Sequence, residues 1–300
     1  MSNLSAQRAA RRTFQDRLTS GLNSIRFAIT EPIKLRLARK RYEHLYSGQD
    51  DPLVSIYIPT YNRGKLLVER AIPSLLAQTY KNLEIVVVGD HCTDDTEKLL
   101  SKIGDPRIRF YNLPERRRRY PESIEIHSWA GAVVPSNKAL ELVRGKWIGM
   151  VADDDAYTPD HVEVLLRFAQ KGNYELVSAH LSVERHGKME QDIVLRVLDP
   201  YYTRKEPVEN DTSPQIGSGT TWLYRSYLRS FRYNINCWRK AWNRPLDIDL
   251  TLRMYKAGVR TGFLGRVVAY ILQRPGEVTT GIEAYKVTEK ETLAHFRFVE

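Results

Sequence analysis

Apolar residues recur along this chain in two rhythms. Leu18, Leu22, Ile25 and Ile29 fall at i, i+4, i+7 and i+11, the spacing of one helical face. They predict a helix over residues 6–46, interrupted at Pro32, with Ile33, Leu35, Leu37, Tyr42 and Leu45 following among arginines. A breaker cluster at 48–52 then marks a boundary. Beyond it, apolar positions run almost without interruption over 53–58, ended by Pro59, and over 83–88, as in strands buried on both faces. Residues 65–78 and 96–103 carry helical spacing, and 108–111 reads as a third strand. Strand, helix, strand, helix, strand is the alternation of a doubly wound α/β sheet. Ligands of such sheets bind beyond the carboxyl ends of the strands, which points to the loops after Ile58 and Val88. Further helices are expected over 135–143, 160–170 and 247–256, and strands over 146–151, 175–179, 193–198 and 259–271. Residues 217–224 read as a loop running into a strand.

One strand ends in an unusual way. The apolar run up to Val151 gives way to Asp153, Asp154 and Asp155, with Pro159 four residues later. Three adjacent carboxylates repel one another, so folding alone gives no reason to gather them. Alone, the triplet is a solvated acidic turn ahead of a helix. With a cation it is a hard-oxygen site, because Mg2+ takes one or two carboxylates together with substrate phosphates. The formal charge of +10 favours anionic partners. Seven of those charges lie in residues 1–47, where ten Arg and Lys are opposed only by Asp16, Glu31 and Glu43. This arm reads either as a basic amphipathic helix on an anionic bilayer or as a helix packed on its own domain or a partner subunit. A second basic run, Arg116 to Arg119, has the default reading of a solvated face, and its arginine forks also match phosphate oxygens. With 42% hydrophobic residues the chain can bury a large core, yet no window approaches the roughly 20 apolar residues of a membrane span. No signal-peptide pattern opens the sequence, and Cys92 and Cys237 offer neither a disulfide framework nor zinc spacing. A cytoplasmic setting is the economical expectation.

Four stretches resemble, in order, the family-2 glycosyltransferases, inverting enzymes of GT-A fold. They are Val-Ser-Ile-Tyr-Ile-Pro-Thr-Tyr-Asn-Arg ending at Arg63; Val-Val-Val-Gly-Asp-His-Cys-Thr-Asp-Asp-Thr ending at Thr96; Asn-Lys-Ala-Leu from Asn137, followed by Gly-Lys-Trp-Ile from Gly145 and the Asp triplet; and Asp-Ile-Asp-Leu-Thr-Leu-Arg from Asp247, with Gly258. The likeness spans 53–280. It implies a Rossmann-like, mostly parallel central sheet flanked by helices, with an N-terminal helical extension. Residues 1–50 would be that extension and 281–300 a tail. The domain over 51–280 would comprise a nucleotide-binding half, 51–155, and an acceptor half, 156–280. By the same resemblance Pro59, Thr60, Tyr61 and Asn62 would hold the nucleotide base, with Arg63 and Asn137 nearby. Asp90 would accept a hydrogen bond from the base, usually uracil. Asp153 and Asp154 would lie at the nucleotide, and Asp154 and Asp155 would bind a Mg2+ or Mn2+ ion bridging the diphosphate. Asp247 would be the general base.

The chemistry has reasons of its own. A departing nucleoside diphosphate carries extra charge that a divalent ion can stabilise. A sugar hydroxyl has a pKa far above 7 and needs a base within hydrogen-bond reach. A carboxylate in the first turn of a helix stays ionised, although an aspartate after Pro245 also reads as a plain helix cap. The chain departs from the family pattern at several places. Gly89 replaces the first loop aspartate, Cys92 takes a small-residue position, Leu246 replaces a glutamate, and Arg274 stands where histidine is common. The triplet is displaced so that the first acid of the usual Asp-x-Asp-Asp falls at Ala152, leaving Asp154 and Asp155 as the expected carriers. Trp222, Trp238 and Trp242 are expected in the core, with one of them facing an acceptor.

The expected activity is transfer of a sugar from a UDP-linked donor to a hydroxyl of a glycan or lipid-linked acceptor, with membrane-surface contact through 1–47. Competing readings are a basic nucleic-acid- or membrane-binding protein without catalysis, and a metal-dependent phosphatase. The first leaves the Asp cluster and Asp247 without a role. The phosphatase pattern puts its Asp pair after the first strand with Thr or Val two residues later, where this chain has a late strand and Tyr157. Nucleic acid is not the expected partner. No Gly-x-Gly-x-x-Gly and no Gly-x-x-x-x-Gly-Lys-Ser/Thr is present, which argues against dehydrogenase and P-loop chemistry.

Overall fold

A computed structural model describes residues 12–48, 50–192, 196–197, 215–281 and 284. The chain opens with α1 (Phe14–Tyr42), whose start is fixed by a reciprocal cap between Thr13 and Asp16. The helix runs unbroken through Pro32, where an interruption was expected. An interior proline costs a helix about 3 kcal/mol. Anchors on either side hold α1 in place: Asp16 pairs with Arg239, Glu31 with Arg253, and Arg39 with Glu175 at 2.6 Å. A short 3-10 turn (Glu43–Tyr46) follows.

The elements β1 (Val54–Thr60), α2 (Gly64–Glu69), α3 (Ala71–Leu76), β2 (Leu83–Gly89), α4 (Thr96–Ile103) and β3 (Ile108–Asn112) realise the expected alternation. The single helix read over 65–78 is two. It breaks at Arg70 (φ −125°, ψ −74°), three residues before Pro73, whose ring cannot share a continuous helix with the carbonyl four residues earlier. Then come α5 (Ile124–Ala130), which the apolar pattern did not disclose, α6 (Val133–Leu142), β4 (Trp147–Met150), β5 (Ala156–Tyr157) and α7 (His161–Lys171). The remaining elements are β6 (Leu176–Arg185), β7 (Lys188–Asp192), β8 (Arg196–Val197), β9 (Gln215–Ile216), β10 (Leu223–Arg225), α8 (Leu246–Lys256) and β11 (Thr261–Ile271). Of the strand expected at 193–198, only 196–197 falls among the described residues, paired with β9.

One mixed sheet organises the chain in the order β3-β2-β1-β4-β10-β6-β11-β5, with β7 added to β6. The four strands β3, β2, β1 and β4 are mutually parallel, and β10 enters antiparallel between β4 and β6. Residues of β1 and β2 are almost entirely buried, as expected of strands covered on both faces. Pro59 sits inside β1 rather than ending it. The β4 pairing stops at Tyr57, so no ladder bond to β4 is asked of Pro59. Register then sets the functional end. Thr60 stands opposite Gly89, and Gly89 opposite Asn112. Tyr57 stands opposite Met150, so three residues later the two chains bring Thr60 and Asp153 together.

At the other end of the sheet, Glu84 is buried and ties four segments together. It accepts from Ser55 Oγ on β1 (2.5 Å), from the Arg144 backbone and guanidinium (2.5 and 2.9 Å), and from Arg109 on β3 (3.1 Å). Burial pushes its pKa up, but the hydrogen bonds from Ser55 and Arg144 outweigh it and hold the carboxyl below its usual value. Among the described residues no helix is long and apolar enough to cross a membrane. Glu84→Ala leaves buried donors and arginines without their anion and is expected to cost about 3 kcal/mol, read as a lower urea midpoint. Because the folded pKa is depressed, the Glu84 contribution is present above the unfolded value near pH 4 and fades as pH falls below it. The wild-type advantage over Glu84→Ala should shrink in step.

Candidate active site

A cavity of about 280 Å³ opens where β1, β2 and β4 end. Seven of the residues singled out from sequence line it: Pro59, Thr60, Tyr61, Arg63, Asp90, Asp153 and Asp154. Arg116, His127, Ser128, Gly131, Ala132 and Pro135 close one side, and Leu246, immediately before Asp247, reaches it from α8.

Each acid at this end of the sheet has a cationic or hydroxyl neighbour. Asp153 accepts from Thr60 Oγ1 at 2.7 Å and from Arg63 at 3.1 Å, and the same Arg63 nitrogen reaches Asp154 at 3.1 Å. Asp154 is the more exposed of the two, and its carboxylate also lies 3.9 Å from Arg274. The Asp154 carbonyl accepts from Arg70. Asp155 is buried, is not among the lining residues, and accepts from Thr220 Oγ1 at 3.1 Å. Burial, aggravated by Asp154, raises the Asp155 pKa well above the ordinary carboxylate range, and burial raises that of Asp153 against the pull of Arg63.

Just after β2, Asp90 is buried and doubly paired. Arg116 Nε approaches at 2.9 Å, and Arg119 reaches both carboxylate oxygens at 2.8 and 3.0 Å. The Arg116 guanidinium also lies over the Tyr61 ring, 3.8 Å from its centre. The basic loop is therefore not one solvated face. Arg116 and Arg119 fold back onto Asp90, while Arg117 and Arg118 remain exposed. Local spacing could not reveal this, since the partners are more than twenty residues apart in sequence. His127 on the unanticipated α5 hydrogen-bonds Tyr120 Oη at 2.8 Å, and burial, reinforced by Arg116 and Arg63, lowers its pKa to about 3. It is therefore neutral near pH 7.

Three sequence-picked residues lie off the cavity wall besides Asp155. Asn62, in the left-handed region (φ 50°), accepts from Thr93 N at 2.7 Å and so holds the loop after β2. The Asn137 amide clamps Tyr233, donating to its carbonyl and accepting from its N–H, both at 2.9 Å. Asp247 sits half-buried in the first turn of α8, with Thr251 Oγ1 donating to its carbonyl. Gly89 has no room for a side chain: a Cβ there would meet Asn112 Oδ1 at 2.5 Å and Cys92 Sγ at 3.0 Å. That Asn112 oxygen accepts from Cys92 N, and its amide donates to Cys92 O, so Cys92 shapes the loop. Arg274 is mostly buried, paired with Glu277 at 2.5 Å on the Asp154 side of the site. Among the tryptophans, Trp222 is core and Trp242 is exposed.

Asp155→Asn keeps an acceptor for Thr220 and removes a carboxyl whose folded pKa is raised. That carboxyl lowers stability progressively as pH rises from its unfolded value near 4 through the raised folded value. The ligand-free variant should therefore melt at or above wild type at pH 7, with the difference vanishing below pH 4 in thermal scans.

A sequence model described as Glycosyl transferase family 2 matches residues 55–124 and 127–231. An uncharacterized glycosyltransferase of Rickettsia prowazekii is 30% identical over 217 residues, 71% of this chain and 61% of that protein. A chondroitin synthase of Escherichia coli is 38% identical over 117 residues, 38% of this chain and 15% of its own length. The chain thus spans less than two thirds of either relative. Among solved structures, Staphylococcus aureus TarS 1–349 in complex with UDP-GlcNAc superposes with a TM-score of 0.52 at 19% identity, over 75% of this chain and 60% of that one. A Pyrobaculum calidifontis mannosyltransferase in complex with GDP-Man and Mn2+ gives 0.51 at 16%, over 90% and 74%. The sheet, its N-terminal helix and these neighbours are those of the GT-A fold. With more than half of its residues matched by the family's own model, the chain belongs to glycosyl transferase family 2.

Proposed function

We propose that this enzyme moves a sugar, with inversion, from a UDP-linked donor to a hydroxyl of a glycan or lipid-linked acceptor. The observation that carries the reading is the single cavity onto which Tyr61, Asp90, Asp153, Asp154 and the start of α8 converge. Tyr61, backed by Arg116, offers a flat face for the base, and Asp90 offers an acceptor oxygen beside it. Arg63, bridging Asp153 and Asp154, places positive charge where a diphosphate would lie.

The residues fit a divalent ion of the kind completed by substrate. Asp154 is a part-exposed acid on the wall, and Asp155 is adjacent. Among the described residues no three acid, histidine or cysteine side chains form a ready-made cage. One or two carboxylates plus diphosphate oxygens is the usual Mg2+ arrangement, and Mn2+ takes the same oxygen ligands. When bound, such an ion would stabilise the charge on the departing UDP. Asp247 takes the proton from the acceptor hydroxyl as its oxygen attacks the anomeric carbon opposite the leaving group. It sits in the first turn of α8, near the positive end of the helix dipole. Exposed Trp242, five residues earlier, is a face on which an acceptor sugar can stack.

Asp247→Asn is expected to lower turnover by about 10²–10⁴-fold and leave donor affinity within about twofold. Retained turnover would reassign the base. Asp154→Ala should weaken Mn2+-dependent binding of UDP-sugars by about tenfold or more, measured by calorimetry. Thermal shifts across UDP-, GDP- and dTDP-sugars with and without Mn2+ test the donor. Stabilisation by GDP-sugars alone sinks the uridine reading.

A further inference from the structure

Among the described residues, helix α1 is held to the protein by one side. Asp16, Glu31 and Leu35 are buried on that side. Asp16 and Glu31 pair with Arg239 and Arg253 of the protein body. The opposite side carries Phe14, Leu18, Leu22, Ile25, Ile29 and Ile33, at i, i+4, i+8, i+11, i+15 and i+19, and every one is more than half exposed. Single exposed apolar residues are ordinary, but a continuous stripe along about five helical turns marks a surface that is covered in use.

Charge selects what covers it. The helix has two acids, and both are committed to the inner side. The outer face has none, whereas Arg26, Arg36 and Lys40 are exposed on it. A second copy laid on this stripe would set these cations against its own. An anionic lipid surface satisfies both halves, taking the apolar side chains at the acyl boundary and the cations at the headgroup phosphates. We infer that α1 lies in the plane of an anionic bilayer, with the apolar stripe inserted and Arg26, Arg36 and Lys40 against lipid phosphates. The sequence left open whether the arm packs on its own domain or meets a membrane. The structure assigns the two tasks to opposite faces of one helix.

The geometry has a consequence that rests on the transferase reading. Arg253, the partner of Glu31, belongs to α8, whose first turn holds Asp247. Docking through α1 therefore fixes the proposed base relative to the bilayer, which suits a lipid-linked acceptor.

The test is cosedimentation of the full chain with vesicles of equal phosphatidylglycerol and phosphatidylcholine, against phosphatidylcholine alone, without donor. Wild type should bind the anionic vesicles, less tightly as salt is raised. Arg26→Ser/Arg36→Ser/Lys40→Ser should lose about 100-fold in affinity. Leu22→Glu/Ile25→Glu/Ile29→Glu should abolish binding. Both triple variants replace solvent-facing side chains, so their melting temperatures should match wild type. Failure of wild type to bind, or wild-type binding by the glutamate variant, overturns the proposal. So does a wild-type dimer in sedimentation equilibrium that the glutamate variant dissociates, which would give the stripe to a second copy. Because vesicle binding is read without donor, a failed transferase assay leaves the docking result standing.

Discussion

Four aspartates crowd one end of a single sheet, and the protein must make that arrangement bearable. Asp90, Asp153 and Asp155 are buried, and Asp154 lies between the last two. In a medium poorer than water such charges repel strongly, and each ionised group needs a cation or hydrogen-bond donors. The chain supplies Arg63 from the turn after β1, Arg116 and Arg119 from the loop after β3, and Arg274 from beyond β11. Those four side chains come from three separated segments. The acid cluster is thus a reason for those segments to close around the end of the sheet. Asp90 is paired with two arginines, whereas at the triplet burial, with Asp154 alongside, keeps the pKa values of Asp153 and Asp155 raised.

The strand-by-strand architecture could be read because buried parallel strands write themselves as apolar runs. Residues 83–88 are a clear case, and the register of β1 against β2 and β4 carries their ends to a common level. The aspartates at those ends were legible for the same reason. What could not be read are contacts whose partners are distant in sequence. Nothing near Arg116 says that it will turn inward to Asp90 rather than outward to solvent. Asn137 illustrates the converse, since a residue placed by resemblance beside the nucleotide spends its amide on Tyr233. The seven-residue α5 is too short for a periodic signal, yet it brings His127 and Ser128 to the cavity.

Helix α1 shows a subtler limit. Periodicity located its apolar face correctly, but an apolar face is only a face that avoids water, and periodicity is silent about what receives it. The receiving surface of this protein took the other side, through Asp16, Glu31 and Arg39, polar residues that a hydrophobic pattern discounts. Pro32 misled for a related reason. Its local penalty is real, but the flanking ion pairs are long-range and outlast it.

The crowded backbone at Gly89 bears on how this loop can change. Placing the family's aspartate there requires Asn112 to move, because the new Cβ would fall on Asn112 Oδ1, and Asn112 is committed to both backbone groups of Cys92. Positions 89, 92 and 112 are therefore one coupled trait. A side chain at 89 acts on the turn at 92 through residue 112, and changes at these three positions are expected to be non-additive.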